Sequence, residues 1–262
     1  MPTDFAERFG GIARLYGRSA LERFQSSHVA IVGIGGVGSW VAEALARSGI
    51  GTLTLVDLDD ICLTNINRQI HSVEKTIGKS KIFVMAERLR SIYPDITVNE
   101  MSAFYGESTS DDFFSVPYSF VVDAIDSARQ KAHLVATARR AKIPVVTVGG
   151  AGGCTDATRI KLADLSRSSG DRLLMLLRKK LRTEYRFPRE GKGKFRVQCV
   201  YSDEPPHFPR DDGSVCMDRD PDSTSGLNCD VGLGSATHIT ASMGLFAAGE
   251  VLRQLSGKRQ VP

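Results

Sequence analysis

The stretch that most constrains the fold runs from Val29 to Arg68. A short β-branched apolar run, VAIV, ends in Gly33-Ile34-Gly35-Gly36-Val37-Gly38 and passes into the helical pattern VAEALARSG. That order specifies strand, glycine turn, helix. Glycines let a backbone turn sharply and approach a phosphate, and a helix N-terminus offers unpaired N–H groups at the positive end of its dipole. A second apolar run ends at Asp57, where an acid suits a ribose hydroxyl. The pattern reads as a nucleotide fingerprint; the alternative is a tight strand–helix turn that holds no ligand.

Taken alone, the fingerprint favours a dinucleotide, and an NAD-dependent oxidoreductase is one reading. The residues after Asp57 argue against it. Asp57-Leu58-Asp59 leads into Asn65-Ile66-Asn67-Arg68-Gln69, and Lys81 follows. A redox cofactor needs no cations clustered beside its phosphates, whereas cleavage of ATP and departure of pyrophosphate do. Lys81 opens the run SKIFVMAERLRS, whose apolar positions recur at helical spacing. A lysine in a first helical turn opposes the dipole. A phosphate partner therefore explains it better than capping, with an exposed lysine as the alternative.

Strands alternate with helices from residue 28 to 150, the pattern of a parallel sheet covered on both faces. The expected class is α/β: a doubly wound, mainly parallel sheet with a Rossmann-like nucleotide site. Tyr118–Ile125 (YSFVVDAI) reads as a buried strand ending at Asp123 and Asp126. Ligands bind outside the carboxyl ends of such strands, so Asp126 is either a ligand or the cap of the next helix, over 127–141. IPVVTVGG is a further strand with a glycine tail. From residue 154 the pattern changes: a strand over 158–165, a helix over 171–181, a strand over 195–202 and a closing helix over 233–256 form a mixed C-terminal extension. We expect one domain over 1–262, with a nucleotide-binding half (1–150) and a substrate- or RNA-facing half (151–262).

Arg178 to Arg196 holds nine Lys/Arg against two Glu, interleaved with Tyr185, Phe187 and Phe195. Such a run is either a solvated face or an RNA surface. Arg178, Lys179, Lys180, Lys192 and Lys194 are its candidate RNA contacts. The overall charge of +4 across 262 residues is too small to decide. The five cysteines include no CxxC pair, so neither a disulfide framework nor a four-cysteine zinc site is signalled. Val231–Gly249 lacks Asp, Glu, Lys and Arg and approaches the length of a membrane span, but His238, its hydroxyls and its glycines favour a packed helix. No signal sequence opens the chain, and a cytoplasmic protein without stable membrane insertion is expected.

GIGGVG, DLDDICLTNINRQ, GKSK and DAIDS together resemble the adenylation core of the ubiquitin-activating-enzyme-like family, which includes the adenylyltransferases of molybdopterin and thiamine biosynthesis. Members use ATP to convert a carboxylate to an acyl-adenylate. The resemblance implies that Gly33, Gly35, Gly36 and Gly38 approach the phosphates and Asp57 the ribose. Asp59, Asn65 and Arg68 fall on the phosphate side; Arg68 and Lys81 neutralise the departing pyrophosphate; Asp126 holds Mg²⁺. It also implies a homodimer, in which Arg8 or Arg14 could cross to the partner's ATP. The catalytic cysteine and zinc pairs of other members are absent. RFGGIARLYG, TNINRQIHS, KIPVVTVGGAGG, GKGK and GLGSATHITASMG are similar to one bacterial subgroup of the family. That subgroup adenylates and then cyclises a threonylcarbamoyl-modified adenosine of tRNA, with net loss of water. Two alternatives stand beside it: an adenylyltransferase acting on the C-terminus of a small sulfur-carrier or ubiquitin-like protein, and a sulfur-accepting partner of a cysteine desulfurase. The second would use Cys199, Cys216 or Cys229.

Overall fold

The structure, a computed structural model, describes residues 4–210, 212–217 and 233–257. The helices Phe5–Arg8 (α1), Gly10–Tyr16 (α2) and Arg18–Ser26 (α3) lead into the strand His28–Val32 (β1). Then come Gly38–Ala46 (α4), Thr52–Val56 (β2), Lys81–Ile92 (α5), Thr97–Met101 (β3), Ser110–Phe114 (α6) and Phe120–Asp123 (β4). Ala128–Arg140 (α7), Val145–Val148 (β5), Ile160–Asp164 (β6), Arg172–Glu184 (α8) and Gln198–Ser202 (β7) follow. A two-stranded hairpin, Phe208–Pro209 (β8) and Val215–Cys216 (β9), precedes the long helix Thr237–Leu255 (α9).

Among the described residues, seven strands form one sheet in the order β3-β2-β1-β4-β5-β7-β6. All neighbours are parallel except β6 and β7. The α/β reading of the sequence holds. In the C-terminal part, β7 inserts between β5 and the earlier strand β6, which therefore forms the edge and runs antiparallel to it. β1, β4 and β5 are apolar along nearly every residue because helices cover both sheet faces. One face packs α4, α5 and α9 on Ile31, Leu53 and Val146. The other packs α7 and α8 on Ala30, Val121 and Cys199. Phe24 of α3 is fully buried, a contribution of about 1.5–3 kcal/mol.

Asp171 caps α8: its Oδ1 accepts from Leu174 N at 2.8 Å. Its Oδ2 accepts from Gly150 N at 2.8 Å, which ties the helix start to the carboxyl end of β5. The stretch flagged for membrane-like length lies largely in α9, which packs against α4 and the sheet. Among the described residues no helix is long and apolar enough to cross a membrane.

Candidate active site

The strand order reverses at β1: β2 and β3 lie on one side and β4 and β5 on the other. The crevice at such a reversal, outside the carboxyl ends of the strands, is where doubly wound sheets bind ligands. The loops after β1, β2 and β4 converge there.

Gly33 follows β1 with φ 91°, and its N–H donates to Val56 O at 2.9 Å. A Cβ there would stand 2.7 Å from Ala124 O, so the glycine lets the loops after β1 and β4 meet. At Gly38, the first residue of α4, a Cβ would stand 1.8 Å from Gly33 O. A side chain at either position would push the helix start away from the crevice. Gly35 lies beside the Gln69 amide and Gly36 beside Arg68 and Thr240.

Asp57 holds this loop. Its Oδ2 accepts from Ile34 N at 2.7 Å and its Oδ1 from Asp59 N at 2.9 Å. A carboxylate has about four lone-pair sites, so two remain for hydroxyls. Asp59 in turn accepts from Lys81 Nζ at 2.7 Å. The lysine side chain is 8% exposed and the carboxylate 51%. The alternative of an exposed lysine is thereby set aside. The pair is built by a short antiparallel contact, Asp60 with Ser80, which brings the loop after β2 onto the start of α5.

Asn65 is buried and its Oδ1 accepts from Cys62 N at 3.1 Å, so it folds the loop. Arg68 Nη1 donates to Thr64 O at 2.8 Å and to Asn67 Oδ1 at 3.0 Å, while its carbonyl accepts from Trp40 Nε1 at 3.1 Å. Asn67 Nδ2 donates to Ser235 O at 2.8 Å, which docks the approach to α9 on the same loop. Asp126, exposed, lies just beyond β4. The alternative cap role is not realised: Ser127 occupies the cap position of α7, and no side-chain cap bond is made there.

The structure therefore gathers Gly33 to Gly38, Asp57, Asp59, Asn65, Arg68, Lys81 and Asp126 around one rim. Arg178, Lys179, Lys180, Lys192 and Lys194 stand apart, on α8 and the loop after it. Lys180 is paired with Glu184 at 2.9 Å, and Lys192 and Lys194 are exposed. Arg8 bonds Ile92 O and Asp4 within its own chain, and the Arg14 guanidinium lies over Gly10. Burial pushes the Cys199 thiol up to about 12, the state of an inert core sulfur. Cys216 is half-buried in the hairpin, and Cys229 lies outside the described residues.

A family model described as the ThiF family matches residues 11–262. The chain belongs to the ThiF family. Its relatives in that family include a protein of Escherichia coli (strain K12) named tRNA threonylcarbamoyladenosine dehydratase. That protein is 47% identical over 253 residues, covering 96% of this chain and 94% of the relative. A protein of the same name in Bacillus subtilis (strain 168) is 37% identical, covering 91% of each. A solved structure of the E. coli tRNA N6-threonylcarbamoyladenosine dehydratase in complex with ATP matches with TM-score 0.85 and 44% identity, covering 96% of this chain and 95% of that one.

Two features beside the rim have no counterpart in the sequence reading. Lys131 and Asp123 form a fully buried ion pair at 3.0 Å beneath the loop after β4. The signal was present: Lys131 falls on the α7 face that carries Ala132, Leu134, Val135 and Ala138. The other is His71. Both of its ring nitrogens are buried without a hydrogen bond among the described residues. Burial, then the charges of Lys81 and Arg88, hold its imidazole down to about 4, against 6.5 in the open chain. The unfolded chain thus takes up a proton between pH 6.5 and 4 while the fold does not. Stability from this group is full above pH 6.5 and falls as the solution is acidified toward 4. Urea unfolding of wild type should lose roughly 2 kcal/mol between pH 7 and 5 relative to His71→Leu. Parallel pH profiles would show that the ring is solvated instead.

Proposed function

We propose that this chain is an ATP-dependent tRNA threonylcarbamoyladenosine dehydratase. The observation that carries the reading is the match over nearly the full length of both chains to the E. coli enzyme of that name, joined to its ATP complex. The rim described above has the groups such a reaction requires.

In this reading ATP lies along the rim. The Gly33–Gly38 loop and the start of α4 face the phosphates with backbone N–H groups. Asp57, already fixed by Ile34 and Asp59, accepts from the ribose hydroxyls. A carboxylate oxygen of the threonyl group attacks the α-phosphorus, and the bond to pyrophosphate breaks. Arg68 and Lys81 stabilise the charge that leaves; Asn65 folds the loop that carries Arg68, and Asp59 holds the Lys81 ammonium. A protonated heteroatom of the same threonylcarbamoyl group then attacks the acyl carbon and releases its proton to solvent, and AMP leaves with the carboxylate oxygen. The substrate supplies the nucleophile, so no cysteine is required.

Among the described residues no group of three or more His, Cys, Asp or Glu could cage a metal ion. A single exposed acid, Asp126, fits Mg²⁺ all the same, because that ion keeps waters and is held by one or two carboxylates plus phosphates. When bound it would neutralise phosphate charge.

The proposal extends to one adenylation domain whose residues 1–150 serve the nucleotide and 151–262 the RNA, to a homodimer, and to a cytoplasmic setting with the tRNA. Of the thiols that sulfur acceptance would use, Cys199 is buried in the core and held high by that burial, which does not suit the role. The decisive test supplies purified protein with ATP, Mg²⁺ and tRNA bearing the threonylcarbamoyl group. The modified nucleoside should lose the mass of one water as AMP accumulates. An unchanged nucleoside, or an adenylated small protein in its place, would refute the reading.

A further inference from the structure

Three of the cations of helix α8 share one face. Met175, Arg178, Lys179 and Arg182 recur at helical spacing and, with Thr183 and Glu190, line a groove of about 380 Å³. Arg178 reaches the Ser168 hydroxyl, and the Arg182 guanidinium sits 5.4 Å from the centre of the Phe195 ring. Both forks are therefore held in place before any ligand arrives. Arg182 Nε is buried and has no hydrogen bond among the described residues. Burial, and then the charge of Arg182, bring the Arg178 guanidinium below its ordinary range. The one acid of the groove, Glu190, lies 3.9 Å from Arg182 and is 92% exposed. Such a pair contributes little. Two half-buried like charges with one loose counter-ion favour an added anion, and the planar fork of arginine matches a phosphate.

The position of the groove narrows the ligand. The cap of α8, Asp171, is bonded to Gly150 at the same edge of the sheet as the rim. A rise of 1.5 Å per residue sets Arg178 and Arg182 roughly 10 and 16 Å along the helix from that cap. A polynucleotide whose modified base enters the rim can span that distance with its backbone. Met175, 51% exposed, gives the groove an apolar lip.

We infer that Arg178, Lys179 and Arg182 form a phosphodiester-binding subsite that holds the RNA backbone beside the nucleoside being modified. The inference rests on the tRNA reading of the rim. It also divides the basic run. Lys180, paired with Glu184, and the exposed Lys192 and Lys194 stand outside the groove.

The test measures tRNA affinity of the full chain across a salt series, with Arg182→Gln, Arg182→Lys and Lys179→Gln. Arg182→Gln should weaken binding about tenfold and reduce the slope of log affinity against log salt by about one. Lys179→Gln, at an exposed side chain, should reduce the slope by a similar amount, and Arg182→Lys should recover the slope but only part of the affinity. ATP affinity without tRNA should be unchanged in all three. Unaltered tRNA affinity and slope, with ATP binding intact, overturn the inference; if Arg182→Gln fails to fold, Lys179→Gln decides. Inorganic phosphate bound by wild type as tightly as tRNA would make the groove a small-anion site and also overturn it. A wild type that leaves the nucleoside unchanged, but whose tRNA affinity falls on Arg182→Gln, refutes the dehydratase reading and supports the groove.

Discussion

Lys81→Ala is expected to lower tRNA-dependent ATP–pyrophosphate exchange by about 10²–10³-fold, the usual cost of removing a preorganised group from a developing charge. The ammonium is nearly excluded from water, so its interaction with a phosphate is far less screened than at an open surface. Its present partner, the Asp59 carboxylate, is half exposed and on the solvent side of the pair. Truncating the lysine therefore does more than remove a cation. It leaves Asp59 as an uncompensated negative charge, which in the proposed reading faces the triphosphate. The Lys81→Ala, Asp59→Ala double variant should regain ATP affinity relative to Lys81→Ala alone while exchange stays low, since repulsion is relieved but the stabilising charge is still gone. Asp126→Ala gives the complementary result. Its side chain is exposed, so unfolding free energy should move by no more than about 0.5 kcal/mol while exchange collapses. Full exchange in Lys81→Ala or Asp126→Ala would show that the assignment of that residue is mistaken.

The candidate site was legible where its residues fall within one repeating unit of the fold. GIGGVG and Asp57 report a strand, a turn and an acid within one strand–helix–strand unit, and the structure joins them through Ile34 N and the Asp57 carboxylate. Lys81 was legible as an oddity, a cation at the wrong end of a helix. Its carboxylate partner was not, because Asp59 arrives through an antiparallel contact across a loop that periodicity does not encode. The same limit applies to the sheet. Each of β5, β6 and β7 is readable as a strand, but the insertion of β7 between the other two is a long-range pairing. The basic run shows the opposite failure. As a sequence it is uniform; in space Arg178 and Arg182 are anchored, Lys180 is neutralised, and Lys192 and Lys194 stand free on a loop. His71 carries no sequence signal, since only tertiary burial strips its ring of partners.

Lys131→Met is expected to cost about 3–5 kcal/mol of stability, the penalty of leaving one member of a buried pair without its partner. Asp123 and Lys131 are both inaccessible to water. The carboxylate is otherwise held by Thr147 Oγ1 at 2.6 Å and Ile125 N at 3.2 Å, two neutral donors that do not offset a full charge at that depth. Asp123→Asn in the Lys131→Met background removes the stranded charge and keeps an oxygen for Ile125. It should recover about 1–3 kcal/mol, so the double variant is more stable than Lys131→Met itself. Urea unfolding at one fixed protein concentration reads both values. The pair also bears on the rim, because the Asp123 carboxylate fixes the amide of Ile125, the residue before Asp126. Lys131→Met should accordingly raise the KM for ATP even under conditions where the variant is fully folded, and the double variant should bring it back toward wild type. A loss under about 1 kcal/mol for Lys131→Met would mean that water reaches the pair. A KM that ignores both substitutions would confine its role to stability and detach Asp123 from the positioning of the loop.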